Sequence, residues 1–237
     1  AASLTAALRQ VPGFVSLSFS SNTQRSNVIM GKNLTVVFGQ DHITDRIGDI
    51  SFEISPLSFY QVNPQQTRRL YETALAYAGL TGSETVWDLY CGIGTISLFL
   101  ARKARKVIGV ELVPAAVENA RANAQRNGIT NVSFLAGKAE EVFPSVYQET
   151  GERADVVVVD PPRKGCDAVL LATIVKMAPE RIVYVSCNPA TLARDLKTLA
   201  AGGYQPRKVQ PVDMFPQTSS VETVVLLSRS AAAFCPA

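Results

Sequence analysis

Two hydrophobic periods divide the chain. Up to about residue 60, apolar positions alternate with polar ones, and Phe14 to Phe19, Asn33 to Phe38 and Ile50 to Ile54 predict short strands. Ser20-Ser21-Asn22 and Gly31-Lys32 predict turns between them. So small a β-rich piece cannot bury a core unaided and is expected to pack on the remainder of the chain. From Pro64 onward, compact apolar runs alternate with stretches of helical period. This pattern predicts helix 65–78, strand 85–89, helix 95–102, strand 106–110, helix 115–127 and strand 132–135. Strand 155–159, helix 168–177, strand 181–186 and helix 191–201 come next, then strands 207–210 and 223–228 across a turn-rich loop. Strands and helices in this order predict an α/β fold with a doubly wound, mostly parallel sheet over residues 61–237, with residues 1–60 as the small β-rich piece.

The chain's 237 residues suffice for one large α/β domain, and an apolar fraction of 47% is that of a globular protein. No apolar run approaches the ~18 residues of a membrane span, and no signal peptide is visible, so no membrane partner is expected. The chain opens Ala1-Ala2-Ser3, without Met, and is expected to be a fragment. Cys91, Cys166, Cys187 and Cys235 form no CxxC pair and no metal spacing, which predicts a reducing, cytoplasmic setting and no metal site. His42 is the only histidine, so a Cys–His relay and a histidine-rich zinc site are not expected, and proton transfer falls to carboxylates, lysines or water. A net charge of +3 is compatible with nucleic acid without arguing for it.

Three stretches carry candidate chemistry. Val183-Tyr184-Val185-Ser186-Cys187-Asn188-Pro189 reads as a buried strand running into a helix cap, with Asn188 as N-cap and Pro189 at the first helical position. A thiol there feels the positive end of the helix dipole, which favours thiolate and suggests a nucleophile. A lone cysteine is more often a small buried hydrophobe. Asp88-Leu89-Tyr90-Cys91-Gly92-Ile93-Gly94-Thr95 follows the first strand of the predicted sheet, and its glycines let a ligand approach the backbone. Glu111 ends the next strand, where a carboxylate can accept from both ribose hydroxyls. A nicotinamide site would look similar, but Ser97 stands where its third glycine belongs, and the charge of Asp88 suits a sulfonium or amino group better than a pyrophosphate. Asp160-Pro161-Pro162-Arg163 closes the strand at 155–159, in the crevice where such sheets bind ligands, or forms a rigid turn with a solvated acid.

With these pieces in order, the chain resembles the S-adenosylmethionine-dependent RNA uracil-C5 methyltransferases. Ser58-Phe59-Tyr60-Gln61-Val62-Asn63-Pro64, Asp88 to Gly94, Val110-Glu111, Asp160 to Arg163, Ser186 to Pro189, Asp213-Met214-Phe215-Pro216 and Val221-Glu222-Thr223 carry the resemblance. It implies a Rossmann-like methyltransferase sheet and S-adenosyl-L-methionine as cofactor, contacted by Gln61, Tyr90, Glu111 and Asp160. It implies Cys187 as nucleophile and Glu222 as proton acceptor. RNA is the implied partner, 23S rRNA ahead of tRNA, with residues 1–60 as part of a central RNA-binding region. Asp160 is further expected to hydrogen-bond the uracil edge, and Phe59 or Tyr60 to stack an extruded base. The family's N-terminal β-barrel and iron–sulfur cysteine cluster have no counterpart, so the chain is expected to be a catalytic fragment. Ser219-Ser220 replaces a segment that often carries histidine. Two other readings stay open: an exocyclic-amine methyltransferase using Asp160-Pro161-Pro162, from which Arg163 departs by replacing an aromatic residue, and a non-catalytic RNA-binding fragment.

Overall fold

The computed structural model describes residues 2–23, 30–31 and 33–229; Cys235 and Lys32 of the predicted turn lie outside the described residues. Helix α1 (Ala2–Leu8) precedes strands β1 (Ser16–Ser20), β2 (Leu34–Gly39), β3 (Ile43–Ile47) and β4 (Ile50–Ile54). Then come α2 (Pro64–Ala78), β5 (Thr85–Leu89), α3 (Thr95–Ala101), β6 (Lys106–Glu111), α4 (Pro114–Arg126), β7 (Val132–Ala136) and α5 (Ala139–Thr150). The chain continues through β8 (Val156–Val159), α6 (Ala168–Met177), β9 (Arg181–Ser186), α7 (Pro189–Ala201), β10 (Tyr204–Val212) and β11 (Glu222–Arg229).

Seven strands form the main sheet in the order β10-β11-β9-β8-β5-β6-β7. The five strands β5 to β9 are parallel, because each crossover passes through a helix, while β11 runs antiparallel to both β9 and β10. This is the predicted Rossmann-like doubly wound sheet. The winding reverses at β5, which has β6 on one side and β8 on the other, so the ligand crevice of such folds belongs at the carboxyl ends of β5, β6 and β8. Period-2 alternation sends strand residues to opposite faces. Val86, Val156, Val158, Val183 and Val185 pack with Leu70, Phe99, Val117 and Ala120 of α2, α3 and α4. Trp87, Leu89, Val157, Val159 and Tyr184 pack with Phe143, Leu170, Ile174 and Leu199 of α5, α6 and α7.

The N-terminal strands form two separate antiparallel pairs. The β1–β2 pair buries no residue fully, as expected of an isolated hairpin, whereas Ile47, Ile50, Phe52 and Ile54 of β3–β4 join the core under α2, α3 and α4. Asn123 of α4, fully buried, fastens that hairpin: its Oδ1 accepts from Glu53 N–H at 2.8 Å and its Nδ2 donates to Ile93 O at 3.2 Å and Glu53 O at 3.4 Å. Asn127 does the same one turn on, accepting from Ser51 N–H at 2.9 Å and donating to Ser51 O at 2.7 Å. Among the described residues no helix is long and apolar enough to cross a membrane.

Candidate active site

The strand order brings the candidate residues to one edge of the sheet. Asp88 is the penultimate residue of β5, Glu111 ends β6, Asp160 follows β8 and Cys187 follows β9, all at carboxyl ends. Glu222 reaches the same edge by a different route. Because β11 is antiparallel, its first residue lies where the last residues of β9 lie: Thr223 pairs with Ser186, which sets Glu222 beside Cys187. Residues 35 positions apart in sequence thus become cross-strand neighbours.

Cys187 is held in a short, fully specified turn. Ser186 Oγ bridges to Asn188 O and N–H, both at 3.1 Å, and Asn188 Oδ1 caps α7 by accepting from Ala190 N–H at 3.0 Å and Thr191 N–H at 3.5 Å. The expected cap is therefore present, but the expected thiolate is not favoured. Burial of the half-exposed Cys187 thiol, followed by the charges of Glu222 and Asp160, raises its pKa, and the Arg163 guanidinium opposes them. Desolvation comes first among these causes, ahead of the two nearby carboxyls. Burial likewise raises Glu222, only 4% exposed, with Arg163 again lowering it. Asp160 is pushed well up by burial, then by Glu222 and Asp88. Arg163, read from the sequence only as a missing aromatic, is the cation facing both thiol and acid. Its position two residues beyond the strand-end Asp-Pro pair was the available signal.

On the other side of the switch point, Asp88 corrects the expectation of a fixed charge. Fully buried, it accepts from Ser97 Oγ at 2.5 Å, and burial raises its pKa to about 7 despite that bond, with Glu111 adding to the rise. Glu111 is partly exposed and anchored by two amides: Gly92 N–H donates to Oε2 at 3.1 Å and Val113 N–H to Oε1 at 2.9 Å. Of the two loop glycines, only Gly92 leaves open space, since an added Cβ there meets nothing within 4 Å. A Cβ on Gly94 would come within 3.0 Å of Phe134 Cζ, so that glycine serves packing between helix and strand rather than ligand approach. Tyr90, just ahead of them, takes φ 81°, a strained conformation for a non-glycine residue, while its N–H and that of Cys91 both bond Val110 O.

Gln61 enters from the segment ahead of α2. That segment is tied to the loop before β11, because Asn63 Nδ2 donates to Met214 O at 3.3 Å and Thr67 Oγ1 to Met214 Sδ at 3.7 Å. Gln61 is 6% exposed, yet its Oε1 has no hydrogen-bond partner, and neither does Oδ1 of Asp88. Buried acceptors without donors are costly, and these two mark where a ligand carrying N–H or O–H groups would fit. With the paired oxygens of Glu111 and the open space at Gly92, this set of acceptors fits a nucleoside bearing an amino acid group. Phe59 is 77% exposed, whereas Tyr60 packs its ring at 6.3 Å from Phe52. Tyr71 was missed by sequence reasoning: buried on α2, it donates to Thr95 Oγ1 at 3.1 Å and so braces the start of α3. His42 is engaged away from the strand edge, by Asp41 at 2.8 Å and Glu53 at 3.1 Å.

Similarity to known proteins extends along most of the chain. The model of the tRNA (uracil-5-)-methyltransferase family matches residues 19–230. An uncharacterized RNA methyltransferase of Bacillus cereus (strain ATCC 10987) is 60% identical over 218 residues, covering 92% of this chain and 47% of the relative. Another, from Halalkalibacterium halodurans, is 58% identical over 219 residues, covering 92% and 48%. The chain thus spans about half the length of the curated relatives it matches. The crystal structure of Pyrococcus abyssi tRNA (uracil-54, C5)-methyltransferase in complex with S-adenosyl-L-homocysteine superposes with a TM-score of 0.76 at 34% identity, over 90% of this chain and 51% of that one.

Proposed function

The chain belongs to the tRNA (uracil-5-)-methyltransferase family, and on that premise we propose that it transfers a methyl group from S-adenosylmethionine to C5 of a uridine in RNA, in the cytoplasm. The target we put first is 23S rRNA, with tRNA, named for the Pyrococcus abyssi enzyme, as the alternative. Residues 61–237 serve as the methyltransferase domain and residues 1–60 as part of the RNA-binding region. The carrying observation is the register that sets Glu222 beside Cys187 at the sheet edge where Asp160 also emerges.

When bound, S-adenosylmethionine supplies an electrophilic methyl group on a sulfonium. Gln61 Oε1 and Asp88 Oδ1 would accept from its amino acid end and Glu111 from its ribose, and Tyr90 and Asp160 would contact it as well. Cys187 thiolate adds to C6 of the uracil and forms a C–S bond, which moves an electron pair onto C5 and O4 and makes C5 the nucleophile. Asp160, whose pKa burial raises, would offer its carboxyl to the uracil edge. Once C5 is alkylated, Glu222 takes the C5 proton, the ring double bond re-forms, and Cys187 leaves as thiolate. A raised pKa makes Glu222 a better base than an exposed carboxylate, and the nearby C4 carbonyl acidifies the proton it removes.

The test is the full-length Glu222→Gln variant incubated with unmodified RNA and S-adenosylmethionine. A denaturing gel is expected to trap a protein–RNA adduct that Cys187→Ala abolishes. Methylation at the wild-type rate by either variant overturns the mechanism. Product nucleosides other than 5-methyluridine overturn the reaction itself.

A further inference from the structure

Four backbone polar groups of the loop that carries Asp160 and Arg163 are bonded to α7 and its N-cap. Arg163 O accepts from Asn188 Nδ2 at 3.3 Å and Thr191 Oγ1 at 3.1 Å. Lys164 O accepts from Arg194 Nη2 at 2.8 Å, and Cys166 O from the same nitrogen at 3.5 Å. Cys166 N–H donates to Asp195 Oδ2 at 2.8 Å. Asp195 is fully buried; Oδ2 also accepts from Tyr184 Oη at 2.6 Å, and Oδ1 from Arg194 Nε at 2.8 Å. Tyr184 lies on β9 three residues before Cys187. Gly165, at φ 78°, fits only because it lacks a Cβ, which would stand 2.5 Å from both Arg194 Nη2 and Asp195 Oδ2.

Such density of bonds exceeds what a surface turn needs. A loop three residues beyond a strand end holds its shape with the one backbone bond seen here, from Gly165 N–H to Pro162 O at 2.8 Å. The bonds from the Arg163, Lys164 and Cys166 carbonyls and from the Cys166 amide run to one helix, the helix whose cap follows the thiol. We propose that Arg194 and Asp195, with Tyr184, form a positioning clamp that sets the Asp160–Arg163 loop at a fixed distance from Cys187. This rests on the reaction proposed above. None of the three residues touches substrate; they act by keeping the acid, the cation and the thiol in one register, where a misplacement of about 1 Å costs about a hundredfold in rate.

The test uses the full-length protein with total RNA from cells lacking the gene and labelled S-adenosylmethionine. Arg194→Ala removes an exposed side chain, and Tyr184→Phe removes one hydroxyl, so both variants are expected to fold. Each is expected to lower kcat about 10- to 100-fold with KM for RNA nearly unchanged and with Tm close to wild type. Hydrogen exchange of the peptide spanning residues 160–167 is expected to quicken in both. Wild-type kcat in both variants overturns the clamp, and so does a loss of kcat that only follows a loss of Tm. If the wild-type protein itself methylates no uridine, the reaction fails rather than the clamp. Exchange then decides alone: faster in the variants, the clamp holds the loop; unchanged, it does not.

Discussion

Asp88→Asn offers a test of the site's electrostatics that needs neither RNA nor cofactor. In the folded protein Asp88 keeps its proton up to about pH 7, against 3.8 for the ordinary carboxyl, because it is fully buried and only one oxygen is hydrogen-bonded. Between those values the unfolded chain has released a proton that the folded chain still holds. Stability therefore falls as pH rises from about 4 to about 7, then levels off, with a slope of up to about 1.4 kcal/mol per pH unit. From pH 5 to pH 8 this one group removes about 3 kcal/mol, a large part of the margin of a typical domain. An asparagine can keep the Ser97 bond and has no proton to lose. Its own unpaired amide costs something, but equally at every pH. Urea unfolding of both proteins at pH 5, 6, 7 and 8 should show Asp88→Asn gaining on wild type by about 3 kcal/mol across the series. Asp160 and Glu222 also have raised pKa values and tilt both curves downward, and because the Asp88 charge adds to the rise at Asp160, the difference reads Asp88 together with that coupling. A difference that stays flat between pH 5 and pH 8 refutes the burial argument.

Single side chains elsewhere carry two more expectations. Asn123→Ala strands the Glu53 amide and two carbonyls where α4 meets β4, and is expected to cost about 2–3 kcal/mol in urea unfolding, far above the effect of an exposed helical Asn. Arg163→Ala removes the cation that lowers the Cys187 pKa, so alkylation of Cys187 by iodoacetamide at pH 7.5, followed by peptide mass, is expected to slow; an unchanged or faster rate counts against that role.

The alternation of strands and helices from residue 64 is plainly written in the apolar pattern, and the strand-end motifs locate the site because an α/β sheet collects its ligand residues there. Helix α5 was not legible: Pro144 sits inside it and argues against a helix, yet Phe143 packs on Trp87 at 4.8 Å and holds it in place. Strand β10 runs from Tyr204 to Val212, beyond the predicted 207–210, because Pro206 and Pro211 are tolerated on an edge strand. Strand β3 was hidden by Thr44-Asp45-Arg46, because of its five residues only Ile47 is buried and the ribbon's other core residues come from β4. Helix α1 makes no buried contact that a periodic pattern would record. In the site, positions were readable and charge states were not. Thiolate at Cys187 and carboxylate at Asp88 are reasonable from local sequence, but desolvation and neighbouring acids depend on strands that meet only in the fold.

Strand β11 has a consequence for assembly. It is made after β10 but lies inside it, between β10 and β9, so β10 has no place on the sheet until β11 arrives. Cys187 thus ends a strand of the parallel scaffold, while Glu222 reaches it only with β11. The two become partners only when the last hairpin zips home, a long-range closure and hence a slow one. A chain interrupted before β11 would carry Cys187 without Glu222 beside it.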